Sequence, residues 1–300
     1  MKLLRQALAL TVIATVLAAA GAAPGATPRG DWPTWGNSSL RNGVATLSRV
    51  TAARVPKLAL AWSRPLDAVV TAQPLFIADP GGGVYVTATA AGTVTAFAAT
   101  NGAVRWHAEL GSQTSRCTQL PKGLFGITGT PAYDRATNTL YAATHGVLYG
   151  LDASTGIPRP GYPLILPMDP FHEHIWGALT IHDSALYLGT AAFCDVQPWK
   201  GRLIRVDLVS KATSEWDSVP TPGANGGGGL FGWGGVSIDP GTGNVWAATA
   251  NATGPDVADD SAFDAESIVE LSPNQQKLQA SHAPGLPRHG DYGFGSTPML

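Results

Sequence analysis

Short apolar runs separated by turns recur along most of the chain. From Val84 onward, apolar residues alternate with polar ones up to an Ala-Gly turn, and a second run passes an Asn-Gly pair and ends on Trp106. Alternation with a period of two is typical of strands with one buried face, and Asn-Gly favours a tight turn. The pattern therefore predicts antiparallel β-strands joined by short turns.

The same pattern returns roughly every fifty residues, a spacing typical of the blades of a β-propeller. Four strand cores share an apolar-aromatic-apolar order, at residues 84–86, 140–142, 186–188 and 245–247. Each core follows a short strand marked by Pro or Asp and precedes a third strand and a turn. The repeats predict four-stranded blades over residues 69–112, 125–167, 176–220 and 232–283.

A turn motif of the form Ala-x-Asp-x-x-Thr-Gly-x-x-x-Trp closes the third strand of several repeats. The first repeat keeps Gly102 and Trp106, the second keeps Asp152 and Gly156 but has no Trp, and the third keeps Trp216. Asp and Thr stabilise such a turn, Gly adopts positive φ, and Trp packs between blades. A wedge-shaped blade needs a neighbour on each face, and we therefore expect a ring.

Four blades would leave that ring open. Residues 58–62 are predicted as a lone strand, and residues 295–300 as the first strand of a fifth blade. We therefore expect an incomplete all-β propeller, either a fragment or a truncated reading frame, with unpaired strand edges. A complete small propeller of four or five blades is the alternative.

The first residues are typical of an export signal. A basic start precedes an apolar run over residues 7–20, which is too short to span a bilayer, and small residues follow. We predict a signal peptide over residues 1–22, a linker over 23–30 and a propeller domain over 31–300. The protein would be secreted or extracytoplasmic, with no membrane span once the signal is cleaved; an uncleaved anchor is the alternative.

Composition narrows the class of protein. The chain has 36 Gly and 23 Pro, only 13% charged residues and a net charge of -2. Frequent turn residues favour an all-β chain, and the absence of a basic excess argues against a nucleic-acid partner. Cys117 and Cys194 are the only cysteines. In an oxidising compartment we predict a disulfide between them, with two buried thiols as the alternative.

The repeat resembles that of pyrroloquinoline quinone (PQQ) dehydrogenase propellers and their non-enzymatic relatives, in particular a secreted bacterial branch. The segments that carry the resemblance are DWPTWG at 31–36, VPKLALAW at 55–62, GITGTP at 126–131, FCD at 193–195 with KG at 200–201, and WGG at 233–235. The resemblance implies a ring of about seven or eight blades, in which the first strand supplies the outer edge of the last blade.

In quinoprotein dehydrogenases calcium bridges the quinone to a glutamate and an asparagine, and an aspartate is the base. The resemblance implies Asn251 and Asp195 as metal ligands and Asp291 as the catalytic base, with a turn-forming role as the alternative at each. The glycines that precede the family's asparagine are absent here, and Gly293 replaces the second Asp of an Asp-Tyr-Asp motif. The missing vicinal cysteine pair argues against an alcohol dehydrogenase of that subtype.

Other patterns indicate weaker sites. The glycines at 226–229 lack a following Gly-Lys-Ser/Thr, and we expect a flexible loop at the channel mouth with Trp233 as a ligand or cofactor platform. His172 and His174 offer two imidazoles for zinc but no third ligand. An acidic loop, formed by Asp256, Asp259, Asp260 and Asp264, is either solvated charge or a calcium site.

Two functions are compatible with these patterns. The first is a secreted propeller that binds an unknown protein or small molecule at the channel mouth and has no catalytic activity in this chain. The alternative is a PQQ- and calcium-dependent oxidoreductase acting on an alcohol or sugar. Fold does not separate them, because propellers host both.

Overall fold

The computed structural model describes residues 30–45, 48, 50–114, 120–194, 196–219, 226–252, 263–282 and 293–300. Four four-stranded antiparallel sheets dominate, and in each the strand order follows the chain. Short 3-10 helices occur at Val55–Lys57 and Pro121–Gly123, and the described residues contain no α-helix. Nor does the described part of the chain contain a helix long and apolar enough to cross a bilayer.

The sheets lie within the four predicted repeats. Blade 1 consists of Leu75–Ile77, Val84–Ala88, Thr93–Ala98 and Val104–Glu109. Blade 2 consists of Ala132–Asp134, Thr139–Thr144, Val147–Asp152 and Leu164–Ile165. Blade 3 consists of Thr180–His182, Ala185–Gly189, Arg202–Asp207 and Thr213–Asp217. Blade 4 consists of Ser237–Ile238, Val245–Ala248, Ser267–Leu271 and Lys277–His282. The prediction of an all-β propeller of four-stranded antiparallel blades is confirmed.

Three pairs of short strands lie outside the four sheets, in loops between blades and in the connection between the second and third strands of blade 3. They are Gln113–Thr114 with Leu124–Phe125, Glu173–His174 with Ala191–Ala192, and Trp199–Lys200 with Gly226–Gly227. The first two pairs are antiparallel and the third is parallel.

The hydrophobic core lies between consecutive blades. One cluster joins blades 1 and 2, a second joins blades 2 and 3, and a third joins blades 3 and 4. Strand alternation explains this, because successive side chains point to opposite faces of a blade and each face packs on a different neighbour. Among the described residues no core cluster joins blade 4 to blade 1, which is consistent with an incomplete propeller.

A tryptophan at the outer strand of one blade packs on the turn of the next. Trp106 donates a 2.9 Å hydrogen bond from Nε1 to the carbonyl of Ala153. Its ring covers Gly156, which has φ of 74° and where an added Cβ would lie 2.6 Å from the indole. The positive φ of the Gly and the packing of the Trp between blades are as predicted, and the structure adds that the absence of a Cβ on Gly156 lets the indole pack directly on it.

Blade 2 has no tryptophan at this position, and Tyr162 takes its place. The ring of Tyr162 packs on Lys211, which occupies the turn position of blade 3 with φ of 67°. Lys211 Nζ lies 4.4 Å from the ring centroid and 2.9 Å from the Tyr162 hydroxyl. A cation–π contact thus replaces the indole–glycine contact.

Both predicted lone strands differ from expectation. Residues 58–62 are extended but belong to no sheet, and Trp62 instead packs on Gly102 and donates a 3.0 Å hydrogen bond to the Ala99 carbonyl. Residues 295–300 likewise belong to no sheet, and Leu300 donates a 3.1 Å backbone hydrogen bond to Leu40. A strand needs a ladder of hydrogen bonds to a neighbouring strand, and among the described residues neither segment pairs with one.

Candidate functional site

Two tryptophans from consecutive loops meet at one end of the blades. Trp176 precedes the first strand of blade 3 and Trp233 precedes that of blade 4. The Ala178 amide donates a 3.0 Å hydrogen bond to the Trp233 carbonyl, which holds the two loops together. The indole centroids lie 6.3 Å apart at 89°, and Trp233 is 45% exposed. We call Trp176 and Trp233 the tryptophan platform.

Buried aromatic side chains support this platform from below. Phe125 packs edge-on against both Trp176, at 5.8 Å, and Phe193, at 4.6 Å. His174 lies 4.9 Å from the Trp176 ring. Perpendicular aromatic packing of this kind is favourable and directional, and it fixes the orientation of the platform.

His174 is a buried packing residue and not a charged one. Its Nε2 lies 2.7 Å from the Thr128 hydroxyl, which itself donates to the Ile175 carbonyl at 2.8 Å. The imidazole Nε2 is therefore the donor to Thr128. Burial, together with repulsion from His145, lowers the pKa of His174 to about 3. The ring is neutral at neutral pH.

A buried ion pair anchors the segment that carries these residues. Arg202 Nε donates to both carboxylate oxygens of Glu173, at 3.0 and 2.9 Å, and Glu173 is almost fully buried. Burial raises the pKa of Glu173, and the charge of Arg202 opposes that rise without cancelling it. The pair ties the backbone before Trp176 to the third strand of blade 3.

The described residues give no support to the zinc hypothesis for His172 and His174. His172 Nδ1 lies 2.6 Å from Asp169 Oδ2, Glu173 binds Arg202, and His174 binds Thr128, so the three side chains have separate partners. No group of three or more His, Cys, Asp or Glu side chains able to hold a metal occurs in the part of the chain that the structure describes.

The prediction of a flexible glycine loop is also wrong for residues 226–229. Gly226–Gly227 forms a strand parallel to Trp199–Lys200, and the Gly228 amide donates a 2.7 Å hydrogen bond to the Asn251 carbonyl. A Cβ on Gly226 would lie 1.4 Å from the Trp199 carbonyl oxygen. The glycines allow backbones to approach closely, so they give packing and not mobility.

The other predicted site residues are only partly visible. Asn251 is half-buried beside this glycine strand, and its role as a metal ligand stays a prediction. Asp195 and Asp291 lie outside the described residues, as does Cys117. Cys194 packs against the cluster that contains Phe125, and the predicted disulfide stays a prediction.

The acidic loop is described at one position only. Asp264 is paired with Lys277, whose Nζ lies 2.9 Å from both carboxylate oxygens. Asp256, Asp259 and Asp260 lie outside the described residues. An ion-paired carboxylate gives no support to the calcium alternative for this loop.

The sequence interpretation missed Trp176 as a site residue. A signal was present, because Trp176-Gly177 precedes the first strand of blade 3 just as Trp233-Gly234 precedes that of blade 4. Aligning the repeats on these Trp-Gly pairs would have predicted that both indoles reach the same end of the ring. The supporting Phe125 and Phe193 carried no comparable signal.

Comparison with known proteins gives a fold but no family. No protein-family model and no curated protein sequence matches the chain. The quinohemoprotein alcohol dehydrogenase from Comamonas testosteroni superposes with a TM-score of 0.68 and 21% identity, over 89% of this chain and 43% of that one. A europium-containing methanol dehydrogenase superposes with a TM-score of 0.64 and 17% identity, over 85% of this chain and 49% of that one.

A third structure, BamB from Moraxella catarrhalis, gives a TM-score of 0.39 at 19% identity, over 79% of this chain and 69% of that one, which is too low to support an argument. This chain spans less than half the length of each dehydrogenase structure that it matches. At these identities the likeness concerns the fold alone. The chain therefore shares the β-propeller fold of these two dehydrogenase structures over the part of each that it matches.

Proposed function

We propose that this chain is a secreted binding scaffold that holds a ligand, or a side chain of a partner protein, on the tryptophan platform at the channel mouth. The exposure of the platform carries this proposal. Trp233 is 45% exposed, whereas Phe125, which packs on its partner Trp176, is buried. An exposed aromatic ring on a rigid support offers a large contact area at low entropic cost.

The surroundings of the platform favour a neutral or apolar ligand. Two nearby cations of blade 3 are already paired, Arg202 with Glu173 at 2.9 Å and Lys200 with Asp217 at 3.0 Å. A paired cation contributes little to the capture of an anion. The described platform thus offers π and apolar contacts, which suit a flat neutral molecule or an aromatic side chain.

The alternative function is a PQQ- and calcium-dependent oxidoreductase. Calcium binds six to eight oxygen ligands, and PQQ would supply the redox chemistry. Of the positions that the resemblance implies for the metal, the described residues include only Asn251, and they hold no cluster of three candidate ligands. Asp195 and Asp291 lie outside the described residues, and we favour the scaffold because it rests on side chains that the structure describes.

A binding experiment separates the two functions. The 300-residue chain would be titrated with N-acetyl-tryptophan amide as a neutral aromatic probe, and separately with PQQ plus calcium, with dye reduction by alcohols assayed in the second case. We expect the neutral probe to bind, Trp233→Ala to abolish its binding, and Ile165→Ala to leave it unchanged. Ile165 is the control because it is 87% exposed on the outer strand of blade 2.

Each result decides between the functions. Equal binding of the probe to the parent chain and to Trp233→Ala, or no binding at all, contradicts the platform. Calcium-dependent PQQ binding with dye reduction supports the oxidoreductase and overturns the scaffold without catalysis. Silence in both PQQ assays removes the dehydrogenase alternative for this chain.

A further inference from the structure

Residues 31–41 cross the first strands of all the blades in turn. At blade 1, Trp32 and Phe76 exchange backbone hydrogen bonds of 2.8 and 3.1 Å. At blade 2, the Tyr133 amide donates a 2.8 Å hydrogen bond to the Pro33 carbonyl. The consecutive residues Trp32 and Pro33 thus bond to the first strands of two different blades.

The same segment then reaches blades 3 and 4. The Thr34 hydroxyl donates a 2.8 Å hydrogen bond to the Leu179 carbonyl, just before the first strand of blade 3. The Ile238 amide of blade 4 donates a 2.9 Å hydrogen bond to the Ser39 carbonyl. Each blade therefore bonds to residues 31–41 through its first strand or the residue before it.

Arg41 ends the segment and is 1% exposed. Its guanidinium donates to the Val236 carbonyl at 3.1 Å, to the Thr180 hydroxyl, and to Thr34 Oγ1 at 2.9 Å. These acceptors belong to blade 4, blade 3 and the segment itself, and all are neutral oxygens. Burial lowers the pKa of Arg41 to about 9, so the group is still protonated at neutral pH.

The fork of the guanidinium suits this role. Its donors are fixed in one plane, and a single side chain can therefore hold several acceptors at set angles. A further bond of 2.8 Å to the Trp35 carbonyl closes the segment on itself. Removing Arg41 would take the guanidinium donor from the Trp35 carbonyl and would leave the Val236 carbonyl with only the Thr180 hydroxyl, at 2.9 Å, as a donor.

We propose that residues 31–41 form a strap that makes the four blades open and unfold as one unit, and that Arg41 pins this strap. In a repeat protein each unit contacts only its neighbours, so parts of the array can unfold separately. A segment bonded to every blade adds coupling between blades that do not touch. The strap would thus give this open array the cooperativity of a single domain.

Hydrogen exchange measured by mass spectrometry tests the strap in Arg41→Ala. The deciding amides are those of Phe76 and Tyr133, which bond to residues 32 and 33 and lie in blades that Arg41 does not contact. We expect both to exchange about tenfold faster or more, because loss of the pin frees the whole strap. Urea unfolding followed by circular dichroism and by fluorescence should change from coincident to separate transitions.

Arg159→Ala is the matched control. Arg159 bonds within blade 2 only, to Asp152 Oδ2 at 2.9 Å and to the Asn138 carbonyl at 3.0 Å. Its loss should leave exchange at Phe76 unchanged. If Arg41→Ala does not fold, Arg41→Lys keeps the charge but not the fork, and the same acceleration at Phe76 and Tyr133 is expected to a smaller degree. Acceleration confined to blades 3 and 4, or separate transitions in the parent chain, overturns the proposal.

Discussion

The indole of Trp106 in blade 1 packs directly on Gly156 in the turn of blade 2. Trp62 makes the equivalent contact with Gly102, although residues 58–62 belong to no sheet. Trp62 thus packs on the turn of blade 1 in the same way that Trp106, in the outer strand of blade 1, packs on the turn of blade 2. Contacts between turns and rings, as much as strand pairing, hold successive blades in register.

Replacing Gly156 by Ala should destabilise the protein strongly. The new methyl group would lie 2.6 Å from the Trp106 ring at a residue with φ of 74°. Left-handed backbone at a non-Gly residue costs about 1–2 kcal/mol of unfolding free energy, and overpacking adds about 1–3 kcal/mol to this loss. Urea denaturation measures the change.

Gly111→Ala is the control for that variant. Gly111 has φ of 88°, but an added Cβ there would meet nothing within 4 Å. It therefore carries the backbone strain without the clash. Equal losses of unfolding free energy in the two variants would show that the Trp106 contact contributes nothing.

Trp106→Phe and Trp62→Phe should lower the unfolding free energy by different amounts. Each removes an Nε1 hydrogen bond to a carbonyl, of 2.9 Å to Ala153 and of 3.0 Å to Ala99. Trp106 is buried, whereas Trp62 is half-exposed and water can replace its bond. We expect Trp106→Phe to lose about 1–3 kcal/mol and Trp62→Phe less, by thermal or urea unfolding. A larger loss at Trp62 would contradict this ranking.

The stability of the protein should fall in mild acid because of His174. Its pKa is lowered from 6.5 to about 3 in the folded chain, so the unfolded chain binds the proton first as the pH drops. The stability present above pH 6.5 is lost as the pH falls toward 3. The slope from one such group is at most about 1.4 kcal/mol per pH unit.

His174→Gln keeps a donor for Thr128 but cannot titrate. We expect its unfolding free energy to depend less on pH across this window than that of the parent chain. His107→Gln serves as the control, because the His107 side chain is 47% exposed. An identical pH profile for the parent chain and His174→Gln would show that His174 takes up its proton without cost.

Arg202→Met should lower the unfolding free energy more at neutral pH than in mild acid. It leaves the buried Glu173 carboxylate without its cation, which costs about 3–5 kcal/mol. Burial already raises the pKa of Glu173, and loss of the Arg202 charge raises it further. As the pH rises, the unfolded chain therefore releases the proton of Glu173 before the folded chain does. The variant therefore loses stability as the pH rises through that pKa.

The measurement is the difference in unfolding free energy from the parent chain at about pH 5 and about pH 7.5. In Glu173→Gln/Arg202→Met no carboxylate remains at position 173, and this difference should be nearly the same at both values. A pH dependence that persists in the double variant would assign the effect to another group.

Local physics explains how much of the fold could be predicted. Strand patterns, turn glycines and the Trp at the end of a repeat act over a few residues, so the blade positions and the packing of Trp106 between blades followed from the sequence. The same rules failed at residues 226–229. A glycine run in the sequence is compatible with a flexible loop and with close packing of two backbones. Here the neighbouring Trp199 backbone, which is distant in sequence, makes it close packing.

The sequence by itself determined the repeat and the all-β class, and it singled out Trp233 as a candidate platform. Only the tertiary structure decided that Trp176 joins it, that Tyr162 on Lys211 replaces a missing tryptophan, and that Arg41 lies buried between blades 3 and 4. These features depend on contacts between residues far apart in sequence, such as the 139 positions between Arg41 and Thr180. No local pattern encodes such a partner, because the partner is selected by how the blades pack around one another.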